Sequence, residues 1–341
     1  MRVIANPFRQ STHQIALPPE TPFPSDDLTA APRLLARCPS AAATPLLQGD
    51  RLAPVAEVHI KDERGRMGLG SFKALGAAYV IACDADAGLA KGRTYVTASA
   101  GNHGLSVATG AQVFGAAAVI YIAESVPESF AERLRQTGAE VRREGNIYED
   151  SMAAAQRAAE VNDWQLLSDS SWDGYYDPPH RLMEGYLALM AEVFEQMPDA
   201  PTHIFLQAGV GGLAGACAAA ARKEWGDAPV ITVVEPEAAP ALIASIEAGR
   251  PVLSEGPVSN MGRLDCKEPS IIALKGLARD ADWFCTISED EAAAQTDRLH
   301  AAGFATSPSG GAGLVAMMLA KGAFQLTDRS RVLCILSEGP A

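Results

Sequence analysis

The sequence lacks any surplus of basic residues: Lys and Arg number 28 against 41 Asp and Glu, a formal charge of −13. Such a chain has no counterion-release drive onto phosphate backbones, which argues against nucleic acid, and anionic membrane surfaces disfavour it for the same reason. Clustered cysteines are also missing. Cys38, Cys83, Cys217, Cys266, Cys285 and Cys334 stand far apart, with no CxxC and no short-spaced Cys/His pair. That argues against a zinc cluster and for reduced thiols, with no metal expected and the cytoplasm as the expected compartment. Met1 is followed by Arg2, Asn6, Pro7 and Arg9 rather than an apolar leader, so no signal peptide is expected. The longest stretch free of Asp, Glu, Lys and Arg, from Thr94 to Ala123, holds Asn102, His103, Gln112 and four glycines. It reads as strand, loop, helix and strand rather than as a membrane span.

What remains is an ordinary globular composition, 48% apolar and 20% charged over 341 residues, long enough for two lobes at about one domain per 150 residues. The first fifty residues carry eight prolines, seven of them from Pro18 to Pro45, and predict an irregular arm lying across the body. Beyond residue 54, short β-rich runs alternate with Ala-rich stretches, the pattern of an open, mostly parallel α/β sheet. Expected strands are 56–60, 93–98, 117–122, 140–143, 202–206, 230–234 and 332–336. Expected helices are 72–84, 104–114, 129–137, 148–162, 181–196, 213–224 and 289–301. Sites in such sheets form where strands end and helices begin.

Four Gly- or Ser-rich loops fall at such junctions. In the first, 68–76, Lys73 sits just inside a helix between Phe72 and small residues; burial there disfavours its ammonium, and a neutral amine can attack an aldehyde to form an imine. Taken alone, the segment fits a surface lysine equally well. The second, 97–104, places Ser99, Ala100, Gly101, Asn102 and His103 at an opening helix, where backbone N–H groups can hold a carboxylate and Asn102 can donate to a ring oxygen. The His103 side chain reads as structural. The third runs from Gln207 to Gly215 and presents Gly209, Val210, Gly211, Gly212 and Leu213 as a nest for a phosphate dianion. It is not a full dinucleotide fingerprint, because Glu235 is the only acid near the end of the next strand. The fourth combines 307–314 with 336–339, where the Ser337 hydroxyl can reach a ring nitrogen; tight-turn chemistry without a ligand is the plain alternative.

An imine-forming lysine, a monophosphate nest, a donor to a ring oxygen and a hydroxyl for a ring nitrogen are what holding pyridoxal phosphate requires. Past the N-terminal arm the chain resembles the fold type II (tryptophan synthase β-like) pyridoxal-phosphate enzymes, and among them the diaminopropionate ammonia-lyases. The segments that carry the resemblance are GSFKALGAAYV at 70–80, AGNHG at 100–104, SDSSWDGY at 168–175, LMEGY at 182–186, LQAGVGGLAG at 206–215, VVEPEAA at 233–239 and LSEGP at 336–340. The resemblance implies two lobes with the cofactor in the cleft: a large domain of 1–79 plus 189–341 and a small mobile one of 80–188. It implies that Lys73, beside Phe72, forms the imine, that Asn102 bonds the phenolic oxygen, that Gly209 to Leu213 bind phosphate and that Ser337 faces the pyridine nitrogen. A hydroxyl there keeps the ring a weaker electron sink, which favours β-elimination. Asp169 is implied as the base for an L-amino acid, against a loop-tying role that a lone Asp before Ser-Ser also fits.

The implied activity is an ammonia-lyase acting on a small β-substituted L-amino acid, 2,3-diaminopropionate first, by a homodimeric enzyme of amino-acid catabolism. The runner-up is a dehydratase of serine, threonine or 3-hydroxyaspartate, because the loop at 99–103 reads like theirs. A silent phosphate-ligand sensor and a nicotinamide dehydrogenase are further rivals. Two positions depart from the pattern. Ala100 stands where the diaminopropionate enzymes carry an aspartate that serves the D-isomer, and Pro308 stands where related enzymes often place a glutamate near the cofactor. His180 and Arg181, ahead of the 182–186 segment, fit surface charge better than recognition of a distal carboxylate.

Overall fold

The computed structural model describes residues 1–341 apart from Pro198, Lys321 and Ala341. In chain order the elements are β1 (Arg2–Ala5), α1 (Ala30–Leu35), β2 (Leu46–Gln48), β3 (Glu57–Asp62), a 3-10 turn (Glu63–Gly68), α2 (Lys73–Asp86), β4 (Thr94–Ala98), α3 (Asn102–Val113) and β5 (Ala117–Ile122). Then come α4 (Glu128–Arg135), β6 (Glu140–Arg143), α5 (Tyr148–Asn162), β7 (Gln165–Leu166), α6 (Asp177–Gln196), β8 (His203–Gln207) and α7 (Gly212–Trp225). The chain ends with β9 (Val230–Pro236), α8 (Ala241–Ala248), α9 (Ile271–Asp280), β10 (Trp283–Ile287), α10 (Glu289–Ala301), α11 (Ala312–Leu319) and β11 (Arg331–Leu336).

Two open sheets result. The larger has seven strands in the order β1-β10-β9-β8-β11-β3-β2, and the smaller has four in the order β6-β5-β4-β7. Every pairing in the small sheet is parallel. The large one is parallel within and antiparallel at both edges, where β1 pairs with β10 and β2 with β3. Both edge strands come from the Pro-rich arm, so the expected irregular segment is corrected: its partners, not its own composition, make short stretches of it extended. Central strands such as β8 are buried at every position, as expected of parallel strands covered on both faces.

The main core fills one face of the large sheet beneath α7 and α9 and continues under α2, α3 and α6 to the small sheet. Small residues set these approaches. A Cβ on Gly76 would stand 2.7 Å from a ring carbon of Tyr186, and one on Gly185 would stand 2.7 Å from the Leu75 carbonyl oxygen. Helices α2 and α6 therefore touch backbone to backbone, which seats Tyr186 beside the start of α2. The other face of the large sheet is covered by α10 and α11, and α5 covers the small sheet. Residues 79/80 and 188/189, the expected lobe limits, fall inside α2 and α6.

Candidate active site

Lys73 opens α2, its N–H donating to Ser71 Oγ at 3.1 Å. The turn that delivers it bends through Met67, Gly68 and Gly70, all at positive φ, and is bonded to the end of β11: Phe72 N–H donates to the Ser337 carbonyl and Gly339 N–H to the Gly70 carbonyl. Upstream, the turn is anchored by a buried ionic cluster. Arg66 bonds Glu63 and Glu192 at 2.7 Å, and Lys61 bonds Glu192 at 2.6 Å and the Thr44 carbonyl at 2.7 Å. Two cations face two carboxylates, so the cluster is balanced, as buried charge must be.

Lys73 Nζ donates to Asp169 Oδ2 at 2.6 Å, with both side chains about a fifth exposed. Burial alone disfavours both charges. The carboxylate outweighs that burial and raises the lysine above its usual range, and the ammonium draws the aspartic acid well below its own. Asp169 follows β7 in a segment whose other residues hold the loop together. Tyr175 accepts from Ser168 N–H and donates to the Leu166 carbonyl, Trp172 stacks on Tyr175 at 4.3 Å, and Ser171 bonds Ser270 at 2.7 Å. Asp169 is thus the member of that segment that reaches Lys73.

The loop at 99–103 leads from β4 into α3, capped by Gly101. Ser99 and Ala100 are partly exposed. His103 is buried, with Nε2 bonded to the Leu167 carbonyl at 2.8 Å and its basicity pushed down by burial, which is the structural role read for its side chain. Across the cleft, Gly209 to Leu213 leave β8 and start α7. A Cβ at Gly209 would come within 3.0 Å of Cys266 Sγ, and Gly211 caps α7 at φ +98, so the turn presents bare backbone. Ser337 is buried, its N–H on the Gly310 carbonyl, and its hydroxyl takes no hydrogen bond among the described residues.

Three residues enter that the sequence reading passed over. The Tyr186 hydroxyl is fully buried and without a hydrogen-bond partner among the described residues, although its ring packs edge-on against Phe72 at 4.9 Å and lies 5.9 Å from Lys73 Nζ. Glu338, quoted in the terminal motif only for the serine before it, is a buried carboxylate that accepts from Asn102 Nδ2 and Ser307 Oγ and pairs with Arg263 at 2.8 Å. Ser307, the neighbour of Pro308, is one of the donors to that carboxylate. Arg263 itself is the third. Elsewhere, Arg181 pairs with Asp177 and Asp84 and His180 bonds the Phe23 carbonyl, outside the site. Glu235 accepts from Leu242 and Ile243 N–H at 2.7 and 2.8 Å, fully buried, and offers nothing to a ribose.

Around the start of α2 stand an amine, an amide donor, an unclaimed hydroxyl, a bare-backbone turn and an orphaned buried phenol, a donor set that suits a phosphorylated aromatic aldehyde. The chain belongs to the pyridoxal-phosphate-dependent enzymes, whose family pattern it matches over residues 39–338, and pyridoxal phosphate is its cofactor. Its relatives narrow the class to ammonia-lyases. It is 36% identical over 298 residues to a diaminopropionate ammonia-lyase of Salmonella typhimurium, covering 78% of this chain and 73% of that one. It is 30% identical over 237 residues to an L-threonine ammonia-lyase of Thermotoga maritima, covering 70% of this chain and 56% of that one. Its fold superposes on Escherichia coli diaminopropionate ammonia lyase in complex with an aminoacrylate–pyridoxal-phosphate azomethine intermediate with a TM-score of 0.87, at 28% identity, covering 99% and 93% of the two chains.

Proposed function

We propose that the protein removes ammonia from a small β-substituted L-amino acid by β-elimination, with 2,3-diaminopropionate as the first substrate and a 2-oxo acid as the other product. The observation that carries the reading is the Lys73–Asp169 pair at 2.6 Å, an amine and an acid at one point of a cleft lined by phosphate- and carboxylate-binding backbone.

When bound, pyridoxal phosphate supplies an aldehyde that takes up an amine and a ring that acidifies the proton on the neighbouring carbon. This chain's residues do the rest. Gly209 to Leu213 hold the phosphate, Phe72 flanks the ring, Asn102 donates to its phenolic oxygen and Ser337 faces its nitrogen. The backbone of Ser99, Ala100, Gly101, Asn102 and His103 holds the substrate carboxylate. Lys73 gives up its ammonium proton to solvent when its amine acts as a nucleophile, which leaves Asp169 ionised and unpaired. Asp169 then accepts the α-proton of an L-substrate and passes it through Lys73 Nζ to the leaving group. The methyl group of Ala100 accepts no proton, so a D-substrate finds no base on that side.

Residues 80–188 form the lobe that closes over the substrate and excludes water. The protein acts in the cytoplasm as a homodimer; six free cysteines fit a reducing compartment, and sedimentation tests the oligomer. The function is tested by incubating the purified enzyme with 2,3-diaminopropionate, L-serine, L-threonine and 3-hydroxyaspartate and measuring 2-oxo acid and ammonia. Turnover of diaminopropionate above the hydroxy amino acids is expected. Brisk loss of a β-hydroxyl with none from diaminopropionate would select the dehydratase reading, which the loop at 99–103 favours.

A further inference from the structure

Glu338 joins parts of the cleft that come from different sheets. It follows β11 of the large sheet, pairs through its backbone with Ser71 just ahead of Lys73, and reaches Asn102 at the head of α3 beyond the small sheet. Two hydrogen-bond donors, Asn102 Nδ2 and Ser307 Oγ, meet its two oxygens, and the Arg263 guanidinium stands beside them as an ion-pair partner at 2.8 Å. Ser307 Oγ also accepts from Gly310 N–H at 3.0 Å, which fixes the hydroxyl beside the carboxylate. The Glu338 carbonyl is held as well, by Thr306 Oγ1 at 2.7 Å. Burial raises the Glu338 carboxyl above its usual range, against the Arg263 guanidinium and the Ser307 and Asn102 donors that favour its charge; with those donors on both oxygens it acts as an acceptor. It therefore dictates which end of the Asn102 amide faces it, since the amide oxygen in that place would meet the carboxylate oxygens.

We propose that Glu338, clamped by Arg263 and Ser307, is a positioning residue that locks the Asn102 amide with its NH2 group toward the cofactor. One N–H is spent on Glu338, and the second is kept for the phenolic oxygen. Without the carboxylate, the amide rotates freely and presents oxygen as readily as nitrogen. The inference rests on the reading of Lys73 as the attachment point and of Asn102 as the phenolic-oxygen donor.

The test uses the holoenzyme. Wild type, Glu338→Gln, Asn102→Ala and the double variant are each checked for lysine-bound cofactor by borohydride reduction and mass spectrometry. The visible absorbance band of the bound cofactor is then titrated with pH. Losing a donor to the phenolic oxygen makes that oxygen more basic and holds the shared proton to higher pH. Glu338→Gln is expected to raise the midpoint by about half to one pH unit, toward that of Asn102→Ala, and to give no further rise in the Asn102→Ala background. A carboxylate acting merely as a nearby negative charge would lower the midpoint when removed. A fall, no change, or a rise that adds fully to that of Asn102→Ala overturns the proposal. Should Glu338→Gln fail to fold, Arg263→Gln loosens the same clamp from its exposed side and is expected to move the midpoint upward by less; an unmoved midpoint there overturns the proposal too. Wild-type protein without lysine-bound cofactor overturns the underlying reading, and this proposal with it.

Discussion

Lys73 Nζ and Asp169 Oδ2 meet at 2.6 Å although 96 residues separate them in the chain. Each partner offsets the other's burial cost, so the pair is strongest when both are charged and the site is most sensitive to the loss of either. An ionised carboxylate held at the amine is the proton acceptor that an elimination beginning with proton abstraction needs.

Asp169→Asn is expected to keep the fold and the cofactor bound to Lys73 while lowering turnover of the L-substrate about 10²- to 10⁴-fold. Lys73→Ala is expected to abolish covalent attachment altogether. Borohydride trapping with mass spectrometry, alongside ammonia release, separates the two effects; wild-type turnover in Asp169→Asn would remove that residue from the chemistry.

The proposed role of Ala100 bears on enantiomer choice. The wild-type enzyme is expected to release ammonia from L- but not D-2,3-diaminopropionate, and Ala100→Asp to gain measurable D-turnover by placing an acid at the head of α3. Comparing the two enantiomers with both proteins checks this, and equal wild-type rates would contradict it.

Gly104 is the tightest point beneath the substrate loop. A Cβ there would stand 2.1 Å from the Ser99 carbonyl oxygen, closer than any contact tolerates, so the loop at 99–101 must move. Gly104→Ala is expected to raise KM for the amino acid more than it lowers kcat, because the backbone proposed to hold the substrate carboxylate is what shifts.

Glu192 answers both Lys61 and Arg66. Glu192→Ala leaves two buried cations sharing only Glu63 and is expected to destabilise the protein by about 3–5 kcal/mol, read as a lowered urea midpoint. A change within half a kcal/mol, about the effect of an ordinary surface substitution, would show that water already serves those cations.

Burial pushes the Glu235 carboxyl up to about 8, against two backbone N–H donors that favour its charge. Its folded pKa lies above the unfolded value, so its contribution is complete below about 4.5 and is lost as pH rises towards 8. Relative to Glu235→Gln, the wild type should therefore lose stability across that window and hold level above it. Denaturant midpoints of both proteins at pH 5 and 8 measure the drift; a difference constant with pH would mean the carboxyl titrates normally.

Much of the frame was readable beforehand. The strands at 117–122 and 140–143 fall where expected and most others within two residues, because runs such as Ala117–Ile122 carry β-branched, apolar side chains between turn residues. The edge strands β1 and β2 were not readable, since four- and three-residue segments become strands only through distant partners. Helices α8, α9 and α11 and strand β10 also escaped; α8 and α11 are short and apolar nearly all round, which erases the period that marks a helix. Tyr186 lay inside the recognised 182–186 segment, yet nothing local told its phenol from that of a core tyrosine.

The amino-acid sequence by itself determined the chemical inventory: an amine at the start of a helix, a bare glycine turn after a strand, an amide and a hydroxyl at two further strand ends. These are properties of short segments, carried by residue type and spacing. Only the folded chain decided that Asp169, named beforehand through the family resemblance alone, stands 2.6 Å from Lys73, and that Glu338 brings a carboxylate to Asn102 from 236 positions away. Such meetings depend on how two sheets are set against each other, a long-range outcome of packing that no local period encodes.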